Sequence, residues 1–170
     1  DVFLHLATLC AVVLFFHKKI AKLFCVFGRM LMHKHPDEEE LVQRRYIVGV
    51  ILATIVTGGI GIIVEKKLGE LPIKCICIGF LFTSVLLIIS AAMEKRIQNR
   101  CTIYAKAPSW WQSLIIGFAQ GIGTLPGVSR SGSTISWALL CGVTREVAGE
   151  FSFIASIISF VFITLKNNSY

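Results

Sequence analysis

The residues best suited to chemistry fall in one stretch, Pro126-Gly127-Val128-Ser129-Arg130-Ser131-Gly132-Ser133-Thr134. It offers one guanidinium fork, hydroxyls on Ser129, Ser131, Ser133 and Thr134, and backbone N–H groups that Pro126 and the glycines keep out of a continuous helix. A short helix can begin just after Arg130 and aim the positive end of its dipole back at the loop. This set complements a cluster of anionic oxygens, and phosphate is the natural ligand. Arginine's planar donors suit phosphate better than a lysine's point charge, and Gly127 and Gly132 let the backbone approach it. Three soluble motifs do not fit. The P-loop needs a Lys that is missing here. The nucleophile elbow needs Gly where Ser131 stands. Gly121-Ile122-Gly123 is a lone fragment of a dinucleotide fingerprint, with no strand before it. The other reading of the loop is a helix break whose Ser and Thr side chains satisfy backbone groups, with Arg130 paired to Glu146 or Glu150.

The segments around the loop must position it. Ala107 to Ser129 is uncharged for 23 residues. A helix from Ser109 to about Ile122 rises only roughly 21 Å before Gly123, Pro126 and Gly127 end it, short of the roughly 30 Å hydrocarbon core. Ile135 to Cys141 can be helical again until Gly142-Val143-Thr144, where Thr144 can cap a last helix over 145–165. Two short helices around a polar break predict a re-entrant hairpin over 109–142, with the phosphate loop at 126–134. Non-helical backbone at that depth is tolerated only against protein or a watery cavity. An intramembrane arginine is costly and marks a functional site by default.

Composition explains why a membrane enters the argument. Of 170 residues, 55% are apolar and 16% charged, with 14 Gly besides; soluble domains average about 25% charged. Disordered, collagenous and low-complexity classes are excluded. The fold class predicted is an all-α integral membrane protein, a polytopic helical bundle forming one membrane domain over 1–170. Tyr46 to Val64 and Cys75 to Met93 carry no charge, which predicts spanning helices over 38–64 and 73–93. Asp37 and Glu40 suggest a capping box at the start of the first, and Gly58, Gly59 and Gly61 suggest close helix packing. Residues 2–16, with His5 inside, read as a truncated spanning helix, so the chain is expected to be a piece of a longer protein. In 18–34 the apolar Ile20, Leu23, Phe24, Phe27 and Leu31 alternate with Lys18, Lys19, Lys22 and Arg29. That is a basic amphipathic helix for a membrane surface, or a solvated connector. Lys and Arg number seven in 17–45 and four in 94–108, against three in 65–74. The heavier loops are therefore cytoplasmic by the positive-inside rule, which explains the net charge of +7 without nucleic acid. Trp110 and Trp111 read as interfacial anchors. The six cysteines read as inert buried thiols, the two of Cys75-Ile76-Cys77 pointing about 200° apart on a helix. The Asn167-Asn168-Ser169 sequon carries no weight.

The loop residues resemble the PGxSRSGxT signature of the undecaprenyl-diphosphate phosphatase family, also called the bacitracin-resistance protein family. The neighbours agree with it: Ile116-Gly117-Phe118-Ala119-Gln120 before, Gly142-Val143-Thr144-Arg145 and Glu150-Phe151-Ser152-Phe153 after, and the opening Asp1-Val2-Phe3-Leu4-His5-Leu6-Ala7-Thr8-Leu9. The resemblance runs along essentially the whole chain. It implies a multi-pass enzyme of the bacterial inner membrane that hydrolyses undecaprenyl diphosphate to undecaprenyl phosphate and phosphate. That recycles the lipid carrier for peptidoglycan synthesis and confers bacitracin resistance. It implies two inverted repeats, each with a re-entrant hairpin, an active site opening outward where the hairpins meet, and a divalent cation, Mg or Ca. The partners are the polyprenyl diphosphate lipid and the bilayer, with no nucleic acid; a homodimer is left open.

Carried onto this chain, the resemblance makes Arg130 the clamp on the diphosphate. Ser129, Ser131 and Thr134 hold phosphate oxygens, and Gly127, Gly132 and Ser133 complete the cradle. Ser129 or Ser131 as nucleophile ranks lower, because the loop holds no base to activate it. Gln120 and Glu150 orient partners or water; alternatively Gln120 makes a helix-to-helix hydrogen bond and Glu150 an ion pair with Arg145 or Arg130. The family's acidic signature and Pro-Val-Ser-Ser-x-Gly-His run belong ahead of Asp1. None of His5, His17, His33 or His35 has the right neighbours to replace that histidine, so no metal ligands are expected in this chain. Further helices are expected beyond about Leu165, and Ile158 stands where a proline is expected. On this reading the chain holds half of a site and is inactive alone. Two other readings stay open: a transporter or flippase of phospho-lipid carriers, since broken helices facing an anion are also transporter hardware, and a non-catalytic membrane fragment.

Overall fold

The computed structural model describes residues 2–32, 37–67, 72–98 and 107–167. They form six helices, α1 (Val2–Leu31), α2 (Glu38–Lys67), α3 (Ile73–Gln98), α4 (Trp110–Ile122), α5 (Arg130–Leu140) and α6 (Arg145–Asn167), and no strand among the described residues. Two stretches, Glu38–Val64 of α2 and Ile73–Glu94 of α3, are long and apolar enough to cross a membrane. Only about a quarter of each is buried inside the protein (28% and 22%), so neither is the core helix of a soluble domain. Ile55, Phe80, Leu81 and Ile88 are more than half exposed, a surface suited to lipid and costly in water.

The short helices α4 and α5 pack on this pair in a constant register. Gly49 meets Ser113, and four residues on Ala53 meets Gly117, so α4 runs parallel to α2. Thr83 meets Ser129 and Ser90 meets Ser136, so α5 runs parallel to α3. Gly123 lies on Arg130 at the tip, while Gln112 Nε2 donates to the Cys141 carbonyl at 2.9 Å at the base, so α4 and α5 are antiparallel. Each short helix therefore follows one long helix, and α6 closes the group with Ala148, Phe151, Ile154 and Ala155 in the core.

The glycines that allow this approach differ from those expected. At Gly117 a Cβ would lie 2.6 Å from the Ala53 Cα, and Thr57 Oγ1 bonds the Gly117 carbonyl at 3.0 Å. By contrast, Gly59 has nothing within 4 Å and Gly61 only Thr124 at 4.0 Å. Residues 2–16 and 18–34, read separately from the sequence, run as one helix to Leu31, because His17-Lys18-Lys19 contains no Gly or Pro to stop it. The basic face of α1 packs on the protein: Lys19 pairs with Glu150, Lys22 with Glu39 at 3.6 Å and Arg29 with Glu40 at 3.5 Å. Glu40 is buried between Arg29 and Arg44 and serves as a bridge to α1. A capping box forms at α4, from Ser109 and Gln112. Cys25 on α1 and Cys75 and Cys77 on α3 are exposed rather than buried, and α3 turns most of its surface away from the other helices. Cys101, His33 and His35 lie outside the described residues.

Candidate phosphate-binding loop

The loop is built by backbone hydrogen bonds and one close approach. Tight turns carry the chain out of α4: Thr124 N–H reaches the Gly121 carbonyl, Leu125 N–H the Ile122 carbonyl and Val128 N–H the Leu125 carbonyl. Gly127 turns at φ +89°, and its backbone passes so close to Ile76 of α3 that a Cβ there would collide with the Ile76 backbone. Ser129 is then held from two sides. Its N–H donates to Thr83 Oγ1 at 3.2 Å, and its own Oγ accepts the Gly132 N–H at 3.2 Å as the cap of α5. Thr83 Oγ1 in turn donates to the Gly79 carbonyl at 3.0 Å.

The expected ligand residues divide by burial. Ser129 and Ser131 are exposed, while Arg130, Gly127 and Gly132 are half-buried. Ser133 and Thr134 are buried. Thr134 Oγ1 donates to the Arg130 carbonyl within its own helix, and Ser133 Oγ has no partner among the described residues. Arg130 makes no ion pair or side-chain hydrogen bond among the described residues; Glu146 and Glu150 do not take it. The N–H groups of Arg130 and Ser131 head α5 with no intrahelical acceptor. The head of α5 thus carries, on consecutive residues, one guanidinium, two exposed serines and two N–H groups without an intrahelical acceptor, all donors that suit phosphate oxygens.

Gln120 and Glu150 are placed apart from this set. Gln120 is fully buried and its Nε2 donates to Ser159 Oγ of α6 at 3.1 Å. Glu150 precedes Ser159 by nine residues, about 14 Å along the helix axis, and pairs with Lys19. A cavity of about 610 Å³ also lies away from the loop, lined by Lys18, Lys19, Lys22, Glu38, Glu39, Gln43 and Tyr46 at the start of α2. No group of three or more His, Cys, Asp or Glu side chains able to hold a metal occurs among the described residues. The donors at the loop suit an anion, so the residues present do not by themselves fit Mg or Ca. The sequence reading passed over Gly79, Thr83 and Ser159. The first two belong to a small or polar stripe on α3, Gly79, Thr83 and Ser90, at helical spacing in an otherwise apolar run.

Comparison with known proteins fits this geometry. The sequence matches the family described as bacitracin resistance protein BacA over residues 1–169. It is 44% identical over 159 residues to an undecaprenyl-diphosphatase of Treponema denticola, covering 92% of this chain and 56% of that protein. It is 34% identical over 163 residues to one of Borrelia hermsii (95% and 58%) and 31% identical over 172 residues to one of Borreliella burgdorferi (100% and 62%). The chain thus spans somewhat under two thirds of the length of each of these relatives.

Proposed function

The chain belongs to the bacitracin resistance protein BacA family, and from that membership we propose that it supplies the diphosphate-binding loop of an undecaprenyl-diphosphatase. The observation that carries the proposal is Arg130 at the head of α5, without an ion partner among the described residues and flanked by the exposed Ser129 and Ser131. In the reaction, water attacks the terminal phosphorus, the bond from that phosphorus to the bridging oxygen breaks, and undecaprenyl phosphate leaves with the second phosphate released. Phosphoryl transfer depends mostly on positioning and charge stabilisation. Arg130 supplies the charge, Ser129 and Ser131 and the free N–H groups of α5 fix the oxygens, and Thr134 stiffens the first turn. The attacking group and any divalent cation would be held by residues beyond this set. The product returns to the lipid carrier pool, and turnover lowers bacitracin's target.

The proposed setting is the bacterial inner membrane, crossed several times, with the basic segments 17–45 and 94–108 in the cytoplasm. At 13 and 11 residues, α4 and α5 are each shorter than the hydrocarbon core, which supports a re-entrant hairpin. Contacts of Gly121 with Ile60 and Gly127 with Ile76 bring its tip toward the far ends of α2 and α3, which supports a site opening outward. The inverted repeat requires a second hairpin.

The test is phosphate release from undecaprenyl diphosphate in detergent with Mg, using the full-length protein that contains this chain and its Arg130→Ala variant. Release by the parent and its loss in the variant support the assignment. Lipid binding without phosphate release overturns it in favour of a carrier.

A further inference from the structure

We propose that the cavity at the start of α2 holds the headgroup of a zwitterionic phospholipid, phosphatidylethanolamine, in the leaflet opposite the phosphate loop. The site is separate from the loop. Tyr46, in the cavity wall, precedes Ile60, beside the hairpin tip, by 14 residues, roughly 21 Å along α2. The inference uses the membrane crossing of α2 and does not depend on the diphosphatase reading. The cavity of about 610 Å³ lies where charge gives way to hydrocarbon. The uncharged run of α2 opens at Tyr46, and the apolar run of α1 ends at Phe16, just before His17-Lys18-Lys19. Lys19 Nζ lies 5.2 Å from the centre of the Tyr46 ring, so the two boundaries coincide. That is the depth of phospholipid headgroups, and basic pockets between membrane helices on the cytoplasmic side bind them.

The lining decides which headgroup. Leu23, Val42 and Tyr46 are half-buried or buried and give an apolar wall, suited to the glycerol and the first acyl carbons. Lys18, Lys22, Glu38 and Glu39 are exposed at the rim, two ammoniums and two carboxylates, while Lys19 is held by Glu150. A purely anionic headgroup would meet the two carboxylates with repulsion; one that carries a phosphate and an ammonium meets both signs. The rim charges are available. Lys18 and Glu38 have no ion partner among the described residues. Lys22 and Glu39 are 3.6 Å apart with side chains 60% and 87% exposed, a pair that contributes little and opens at low cost. Lys18 and Lys22 are one helical turn apart on α1, so both reach one phosphate. Glu38 and Glu39 then take the ammonium, whose three N–H donors suit carboxylates. A choline ammonium donates none of these bonds, and the aromatic faces it needs instead are not offered by Tyr46, whose buried ring is taken by Lys19 and packs edge-on against Phe151. The wall is also incomplete by itself: Gln43 Oε1 and the Tyr46 hydroxyl have no partner among the described residues.

The experiment is native mass spectrometry of the full-length protein in detergent, titrated with dioleoyl phosphatidylethanolamine, phosphatidylglycerol and phosphatidylcholine. We expect the ethanolamine lipid to bind tightest and to raise the melting temperature. Glu38→Gln combined with Glu39→Gln should weaken it about threefold to tenfold, the scale of two exposed charge contacts, and strengthen the glycerol lipid, so that the order of the two reverses. Lys18→Gln combined with Lys22→Gln should weaken both. Lys66→Gln, at the far end of α2, controls for general surface charge and should change neither. Tighter binding of the glycerol lipid by the parent, equal binding of all three lipids, or a Lys66→Gln effect as large as that at the rim overturns the proposal. Displacement of the ethanolamine lipid by millimolar inorganic phosphate also overturns it, and assigns the cavity to a soluble anion. No step uses undecaprenyl diphosphate, so a parent that releases no phosphate from that substrate sinks the hydrolase reading while the lipid order still decides this one.

Discussion

Gly127 sits so close to Ile76 that a Cβ on it would lie 2.2 Å from the Ile76 carbonyl oxygen, and its φ is +89°. Both facts exclude a side chain. Gly127→Ala should cost about 1–2 kcal/mol for the left-handed backbone, before any displacement of α3. Thermal unfolding in detergent should show the loss, and phosphate release should fall with it. Gly59→Ala, in open space within α2, should instead stabilise by about 0.5–1 kcal/mol. A neutral Gly127→Ala would mean that the loop does not rest on α3.

Among the described residues Arg130 has no ion partner at the head of α5. Removing it by Arg130→Ala should lower the hydrolysis rate by about 10³–10⁵, with little change in melting temperature, since no ion pair is lost. Arg130→Lys should recover only a small part, because lysine lacks the planar fork. Phosphate release and a melt on the same samples check both halves.

Thr83 is buried and accepts the Ser129 N–H at 3.2 Å. Thr83→Val preserves shape and removes the acceptor, so the N–H is orphaned at a cost of about 1–3 kcal/mol. Thr83→Ser should restore most of it. Hydrogen exchange at Ser129 gives a direct readout, with faster exchange expected in the valine variant alone.

Gln112 ties the base of the hairpin with both ends of its amide. Oε1 accepts the Ser109 N–H at 2.7 Å and Nε2 donates to the Cys141 carbonyl at 2.9 Å. Gln112→Leu loses both and should cost about 1–2 kcal/mol. Gln112→Glu keeps the acceptor for Ser109 and cannot donate to Cys141, so its melting temperature should fall between the two. A glutamate variant as stable as the parent would show that the cross-hairpin bond contributes little.

Much of the loop was legible because its rules are local. Gly127 at the turn and Gly123 and Pro126 ending α4 each depend on a few neighbouring residues, whereas the cap at Ser129, which starts α5 at Arg130 and not at Ile135, came from the structure. The bland reading of the hydroxyls also held in part: Ser129 caps and Thr134 bonds back into its helix, while Ser131 remains exposed. The Arg130–Glu150 pair did not form, because Glu150 lies at the other end of α6 beside Lys19.

By itself the sequence determined the membrane class, the two uncharged spans and the phosphate-type donor set, since apolar run length, charge content and cap residues are written in consecutive positions. Tertiary structure alone decided which faces meet. α2 is so uniformly apolar beyond Tyr46 that no periodicity marks its contact face, and the choice of Gly49, Gly117 and Gly121 over Gly59 and Gly61 rests on which backbones can approach. The same holds for Thr83 under Ser129, Ser159 at Gln120 and Glu40 between Arg29 and Arg44. Each joins residues distant in sequence or lying on different helices, and only packing in three dimensions brings such groups within hydrogen-bond reach.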